Sequence, residues 1–125
     1  MKKNELRIGN LVKVRGEIVK VEQITKKKIG YHKEPRENVM HYARLVDIEP
    51  IELTKDVVAK IKLDLKKNYN DYYFYKDGSL VFGCYFSNDY CLVSFYKFMA
   101  INNIQLHELQ NMYYIITNEE LEVEI

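Results

Sequence analysis

The stretch YYFYKDGSLVF, residues 72–82, constrains the fold more than any other part of the chain. Asp77-Gly78 suits a type I′ turn, in which both central residues take positive φ, and aromatic and β-branched residues flank it on both sides. That pattern commits the centre of the chain to antiparallel sheet, and YCLVSFYKF, residues 90–98, adds at least one more strand. Asn88-Asp89 reads as a further two-residue turn, which makes Cys84 and Cys91 diagonal neighbours on one sheet face, about 7–8 Å apart. That spacing is marginal for a disulfide, so two free thiols are expected.

The amino-terminal third has the same punctuation on a smaller scale. NLVKV and EIVKVEQI alternate apolar and polar residues around Arg15-Gly16 and predict a hairpin. KKKIGYHK places Ile29 and Tyr31 in a third strand, and NVMHYARL supplies a fourth beyond the loop that contains Pro35. Four short strands in this space predict a small curled sheet or SH3-like barrel over residues 1–50. Pro50 then interrupts, because it donates no amide hydrogen and disfavours helical geometry at Glu49. Thr54 is a suitable N-cap, and Val57, Val58, Ile61 and Leu65 recur at helical spacing, which predicts a helix over about 54–66.

LHELQNMYYIIT, residues 106–117, reads as a two-faced helix over about 104–117. Leu106, Leu109, Met112, Tyr113 and Ile116 form its apolar stripe, and His107, Gln110, Asn111 and Tyr114 fall opposite. Asn102 or Asn103 is expected to cap its start, and Asn118 to end it in the left-handed conformation. EELEVEI, residues 119–125, closes the chain as an edge strand whose glutamates discourage pairing with another molecule. The expected whole is a single α+β domain over residues 1–125, mostly β. Residues 51–125 supply the two helices, the Tyr-rich antiparallel hairpins and the edge strand.

Charge is balanced in total and uneven in distribution. Lys+Arg 19 against Asp+Glu 18 gives +1, so the whole molecule has no general attraction to polyanions. Residues 1–44 nevertheless hold 12 basic and 5 acidic side chains, and the remainder 7 basic and 13 acidic. No apolar run is long enough to span a bilayer, and MKKNELRIGN lacks the apolar middle of a secretory signal, which predicts a cytosolic protein.

Motifs for chemistry are weak. His32, His41 and His107 have neither zincin spacing nor a Cys at ligand distance, the glycines form no phosphate loop, and no catalytic group, metal or cofactor is expected. Binding surfaces are better supported. Arg15, Lys20, Lys26, Lys27, Lys28, Lys33 and Arg36 occupy turns and outward strand positions, with Tyr31, His32, His41 and Tyr42 as stacking surfaces beside them, a set suited to RNA, DNA or a ribonucleoprotein. Their other reading is that lysines solvate strand edges. His107, Gln110, Asn111 and Tyr114 are a candidate partner surface, or else they fix the helix to neighbouring loops. Eleven tyrosines are more than a core of this size hides easily, and Tyr is a common interface anchor.

Three stretches, NELRIGNLV, DIEPIELT and LHELQNMYYIITNEEL, resemble a family of small uncharacterised proteins of Bacteroidetes bacteria, their phages and mobile elements. The resemblance spans roughly residues 4–25, 45–58 and 104–121. The family pattern of Val or Leu before His, a Leu-Gln-Asn triplet, aromatics and Leu-Thr corresponds to Leu106, His107, Leu109-Gln110-Asn111, Tyr113-Tyr114 and Ile116-Thr117, with Asn118 where the family has Gly. Residues 69–98 match no part of that pattern. The resemblance implies a genomic setting and carries no activity. In that setting the expected function is a non-enzymatic binding protein that contacts a host protein or ribonucleoprotein, such as an inhibitor of a host defence complex of the anti-CRISPR kind. The alternative is a nucleic-acid-binding small-barrel module in the element's own replication or gene control.

Overall fold

The computed structural model describes residues 1, 5–34, 38–95 and 99–124. It is a mostly-β α+β protein with three antiparallel sheets and two helices, and no closed barrel is present among the described residues. The chain divides into two compact units, residues 1–52 with 105–121, and residues 53–104 with 122–125. The sequence predicts a single domain with subregions 1–50 and 51–125. The closing helix, however, belongs to the amino-terminal unit.

In the first unit β1 (Leu11–Val14) and β2 (Glu17–Lys20) form the expected hairpin, with Arg15 at φ 51° and Gly16 at φ 80° as its type I′ turn. β6 (Ile48–Glu49) pairs with the other side of β1. β3 (Gln23–Ile24), β4 (Lys28–Tyr31) and β5 (His41–Arg44) make a second three-stranded sheet. A single ribbon supplies both sheets: Val21 N–H donates to the Asn10 carbonyl at 2.8 Å, and the next amide, Glu22, donates to Gly30 at 2.9 Å. The strand thus turns a corner between them. Val12, Val14, Val19, Val21, Ile29, Tyr31 and Ile48 fill the corner with Leu6 and Ala43. Burying each of the larger side chains contributes about 1.5–3 kcal/mol.

Helix α2 (Leu106–Thr117) completes this unit. Its start is a capping box in which the Gln105 amide donates to Glu108 Oε1 at 2.9 Å and the Gln105 side chain answers the Glu108 amide. Neither Asn102 nor Asn103 caps it. Asn103 instead sits at φ 55° and accepts from the Cys91 amide at 3.0 Å in the other unit. Asn118 ends α2 as expected, at φ 59°, with its N–H on the Tyr114 carbonyl at 2.7 Å.

The second unit is a meander of five strands in the order β11-β10-β9-β8-β7. They are β7 (Asp64–Asn68), β8 (Asp71–Lys76), β9 (Ser79–Phe86), β10 (Cys91–Phe95) and β11 (Met99–Asn102). Asp77 at φ 50° and Gly78 at φ 82° form the predicted turn. The helix expected over 54–66 is only one turn, α1 (Lys55–Val58), although Thr54 caps it as predicted by accepting from the Val57 amide. Beyond Lys60 the chain is extended: Ile61 bridges Val123, and Leu65 lies opposite Phe74 in β7. The spacing of Val58, Ile61 and Leu65 fits either geometry, and pairing with β8 decides it. The closing segment touches residues 60–62 through that bridge and through Lys62–Glu122 and Glu124–Lys60 backbone bonds of 2.9 and 2.8 Å. No helix is long and apolar enough to cross a membrane among the described residues.

Candidate functional site

The polar face of α2 is used inside the protein. His107 is 3% and Gln110 2% exposed, so these two expected partner contacts are not offered to a partner. Gln110 Oε1 accepts from the Leu11 amide at 2.9 Å, and its Nε2 donates to the carbonyls of Leu121 at 3.3 Å and Gly9 at 3.5 Å. Satisfying these backbone groups draws the carboxamide inward. Asn111 Oδ1 accepts from Asn10 Nδ2 at 2.8 Å and Arg7 Nε at 3.2 Å, while its Nδ2 donates to the Glu5 carbonyl. Arg7 also makes a two-pronged pair with Glu120 and lies 4.3 Å over the ring of Tyr114, which remains half-exposed.

The buried arc of α2 is therefore Leu106, His107, Leu109, Gln110 and Tyr113. Met112 and Ile116, expected in the apolar stripe, are half-buried, and Ile115 is 80% exposed. Burial holds the His107 imidazole below its ordinary pKa, against a partial opposing pull from Glu108 and Glu5. The three stretches behind the family resemblance meet here, because the Leu106 amide also donates to the Ile51 carbonyl at 2.8 Å. Their residues tie segments that lie up to 113 positions apart.

The expected basic surface is divided. Arg15 stands at the β1–β2 tip and exposed Lys20 lies opposite Leu11. Lys26 and Lys27 form the β3–β4 turn at the other end of the bent ribbon, where Lys28 lies opposite Arg44. Lys33 is exposed beyond β4, and Arg36 lies outside the described residues. Of the expected stacking groups Tyr31 is buried, with its ring 5.8 Å from His41, and His32 is bonded to Glu22. Tyr42 is exposed. Folding also removes the charge imbalance along the sequence. The first unit holds 12 basic and 11 acidic residues and the second 7 of each, because Asp47, Glu49 and Glu52 fall within its first segment and Glu108, Glu119 and Glu120 join it.

The surface that sequence reasoning missed is the outer face of the five-stranded sheet. Alternation sends Tyr72, Phe74, Phe82, Cys84, Phe86, Val93 and Phe95 to the buried face, where Phe74 and Phe82 stack at 4.7 Å. Register places Lys66, Tyr73, Gly83, Ser94 and Ala100 in one row of the other face and Asn68, Asp71, Tyr85, Leu92 and Asn102 in the next. Tyr73 and Tyr85 are each 38% exposed and Tyr90 42%. The Tyr73 ring lies across Gly83, where a Cβ would sit 3.4 Å from Cδ1, so the missing side chain makes its bed. Tyr85 and Tyr90 meet at 6.2 Å with their planes at 53°, and Lys66 Nζ lies 5.0 Å from the Tyr75 centroid. The alternation in YYFY was the available signal.

Features for chemistry are sparse. Cys84 and Cys91 are buried free thiols in the expected diagonal register, Cys84 opposite Val93 and Cys91 opposite Phe86. A hydrogen bond to Cys91, then burial, raises the Cys84 thiol far above its ordinary pKa, which makes it a poor nucleophile. Among the described residues no group of three or more His, Cys, Asp or Glu side chains is set to hold a metal ion. An open groove of ≈ 440 Å³ between Lys62, Leu63, Asp64, Tyr75, Lys76 and Asp77 pairs no nucleophile with a base. No family model, curated protein or solved structure matches the chain.

Proposed function

We propose that the chain is a non-enzymatic binding protein that engages a protein or ribonucleoprotein partner through the tyrosine face of its five-stranded sheet. The observation that carries this reading is the placement of Tyr73, Tyr75, Tyr85 and Tyr90 on one face, three of them well exposed, with the small residues Ser94 and Ala100 on the same face. Exposed tyrosines bury much area for little loss of entropy and keep a hydroxyl for bonding, which is why they anchor interfaces. In the phage or mobile-element setting that the resemblance implies, the partner is host machinery, with a defence complex of the anti-CRISPR target kind as the specific conjecture. Capture of a host-lysate partner by the wild-type chain and its loss in Tyr73→Ala/Tyr85→Ala, with melting unchanged, is the expected result. Undiminished capture by the double variant refutes the assignment to this face.

One arrangement favours a second reading, a nucleic-acid-binding module in the element's own replication or gene control. Lys26, Lys27 and Lys28 project from a hairpin tip beside Arg44, and the corner at Val21-Glu22 supports an SH3-like architecture for this unit. Arg44 is paired with Asp47 at 2.9 Å, which lowers the charge the tip presents. Binding of this kind weakens steeply with salt, by roughly 0.7–0.9 log units of affinity per log unit of salt for each phosphate contact.

A further inference from the structure

The outer face of the sheet carries an acidic group, Asp71, that no side chain among the described residues pairs with. Asp71 is directly opposite Tyr85 across β8 and β9, so its carboxylate shares that face, with Cβ atoms about 4.5–5.5 Å apart. It is half-buried, and it makes no hydrogen bond or ion pair with another side chain among the described residues. A carboxylate without a side-chain partner is open to a cation that reaches this face. Beside it, the rings of Tyr85 and Tyr90 are tilted at 53° with centroids 6.2 Å apart, and ring faces attract positive charge.

We propose that Tyr85, Tyr90 and Asp71 together accept a cationic side chain, arginine before lysine, from a polypeptide partner. The proposal rests on the reading of this face as a partner surface and names what the face recognises. The same sheet already holds two cations over rings, Lys66 over Tyr75 at 5.0 Å and Lys67 over Tyr72 at 5.2 Å, and the other unit holds Arg7 over Tyr114 at 4.3 Å. Arginine is preferred because its planar guanidinium stacks on a ring while its N–H fork reaches a carboxylate. A polypeptide fits because Ser94 and Ala100, in the adjacent row beyond the Gly83 that Tyr73 covers, are small and leave a low track for the rest of the segment. Nucleic acid fits poorly. The row of Asn68, Asp71, Tyr85, Leu92 and Asn102 holds no basic residue, and a phosphate there would face the carboxylate.

The test is an NMR titration of the full chain with three probes: a glycine-spaced tetra-arginine peptide, its citrulline counterpart and oligouridine. Saturable shifts of the Tyr85 and Tyr90 ring signals and the Asp71 amide are expected with the arginine peptide alone. Asp71→Asn and, independently, Tyr90→Leu are expected to weaken it about fivefold without loss of the native spectrum. Equal binding of the citrulline peptide, shifts confined to other residues, or no saturable shift overturns the proposal. A stronger response of the same signals to oligouridine overturns it as well and assigns the face to nucleic acid. Host-partner capture that requires Tyr73 and Tyr85 but tolerates Asp71→Asn would leave the partner surface standing and remove its cation specificity.

Discussion

The two units solve the same problem by different means. The first ties distant segments together with the carboxamides of buried Gln110 and half-buried Asn111 and with a half-buried arginine: Gln110 to Gly9, Leu11 and Leu121, Asn111 to Asn10 and Glu5, Arg7 to Glu120. The second relies on backbone ladders and aromatic stacking, with Phe82 between Phe74 at 4.7 Å and Phe95 at 5.6 Å. What differs is where polar chemistry remains free. The first unit spends most of its distinctive polar side chains on its own architecture, whereas the second needs few and leaves a tyrosine face outside. An eye-catching polar motif is thus a poor guide to function when backbone groups of another segment are waiting for it.

Four perturbations test this contrast, beginning with the most damaging. Phe82→Ala removes the centre of the aromatic stack and is expected to lower stability by about 3–5 kcal/mol in urea titration. A loss below about 1 kcal/mol would mean that the ladders hold the second unit without the stack. Gln110→Leu keeps volume but orphans the Leu11 amide and the Leu121 carbonyl, and should cost about 2–3 kcal/mol. If Gln110→Leu is neutral, the polar account of the first unit is wrong.

A pH series sharpens the same point. An unfolded imidazole titrates near 6.5, and His107 is held lower in the folded state, so the unfolded chain binds the proton first. The stability that neutral His107 preserves is complete above about pH 6.5 and is lost as pH falls from there toward its folded pKa. Urea midpoints at pH 7.5 and 5.5 should therefore differ more for wild type than for His107→Gln. The smallest stability effect belongs to Tyr85→Ala, under about 0.5 kcal/mol, because the ring is substantially exposed. A large loss of melting temperature there would make the tyrosine face part of the scaffold.

Legibility from sequence followed the range of the interactions. Arg15-Gly16, Asp77-Gly78, the Thr54 cap and the Asn118 stop were readable because two to four adjacent residues determine each backbone conformation. β7 was misread because Leu65 becomes a strand residue only through its neighbour Phe74. The rotation of α2 was hidden for a related reason. A helical wheel sends Gln110 to solvent, and nothing within the helix reveals that Gly9 and Leu11 need its carboxamide. The excess of tyrosine was visible, but its concentration on one sheet face depended on the register of β8 against β9.

The order of strands has a consequence for how the chain is made. Among the described residues, each strand of the second unit pairs with its neighbours in sequence, so its contacts are local. The first unit cannot finish until Arg7 meets Glu120 and Leu11 meets Gln110, across 113 and 99 positions. Closing a long loop is slow because its entropy is lost before any contact rewards it. On the ribosome the meander is therefore expected to form first, while the two amino-terminal sheets emerge before it and wait, with Leu11 and Gly9 unsatisfied, for a helix whose Gln110 follows Leu11 by 99 positions.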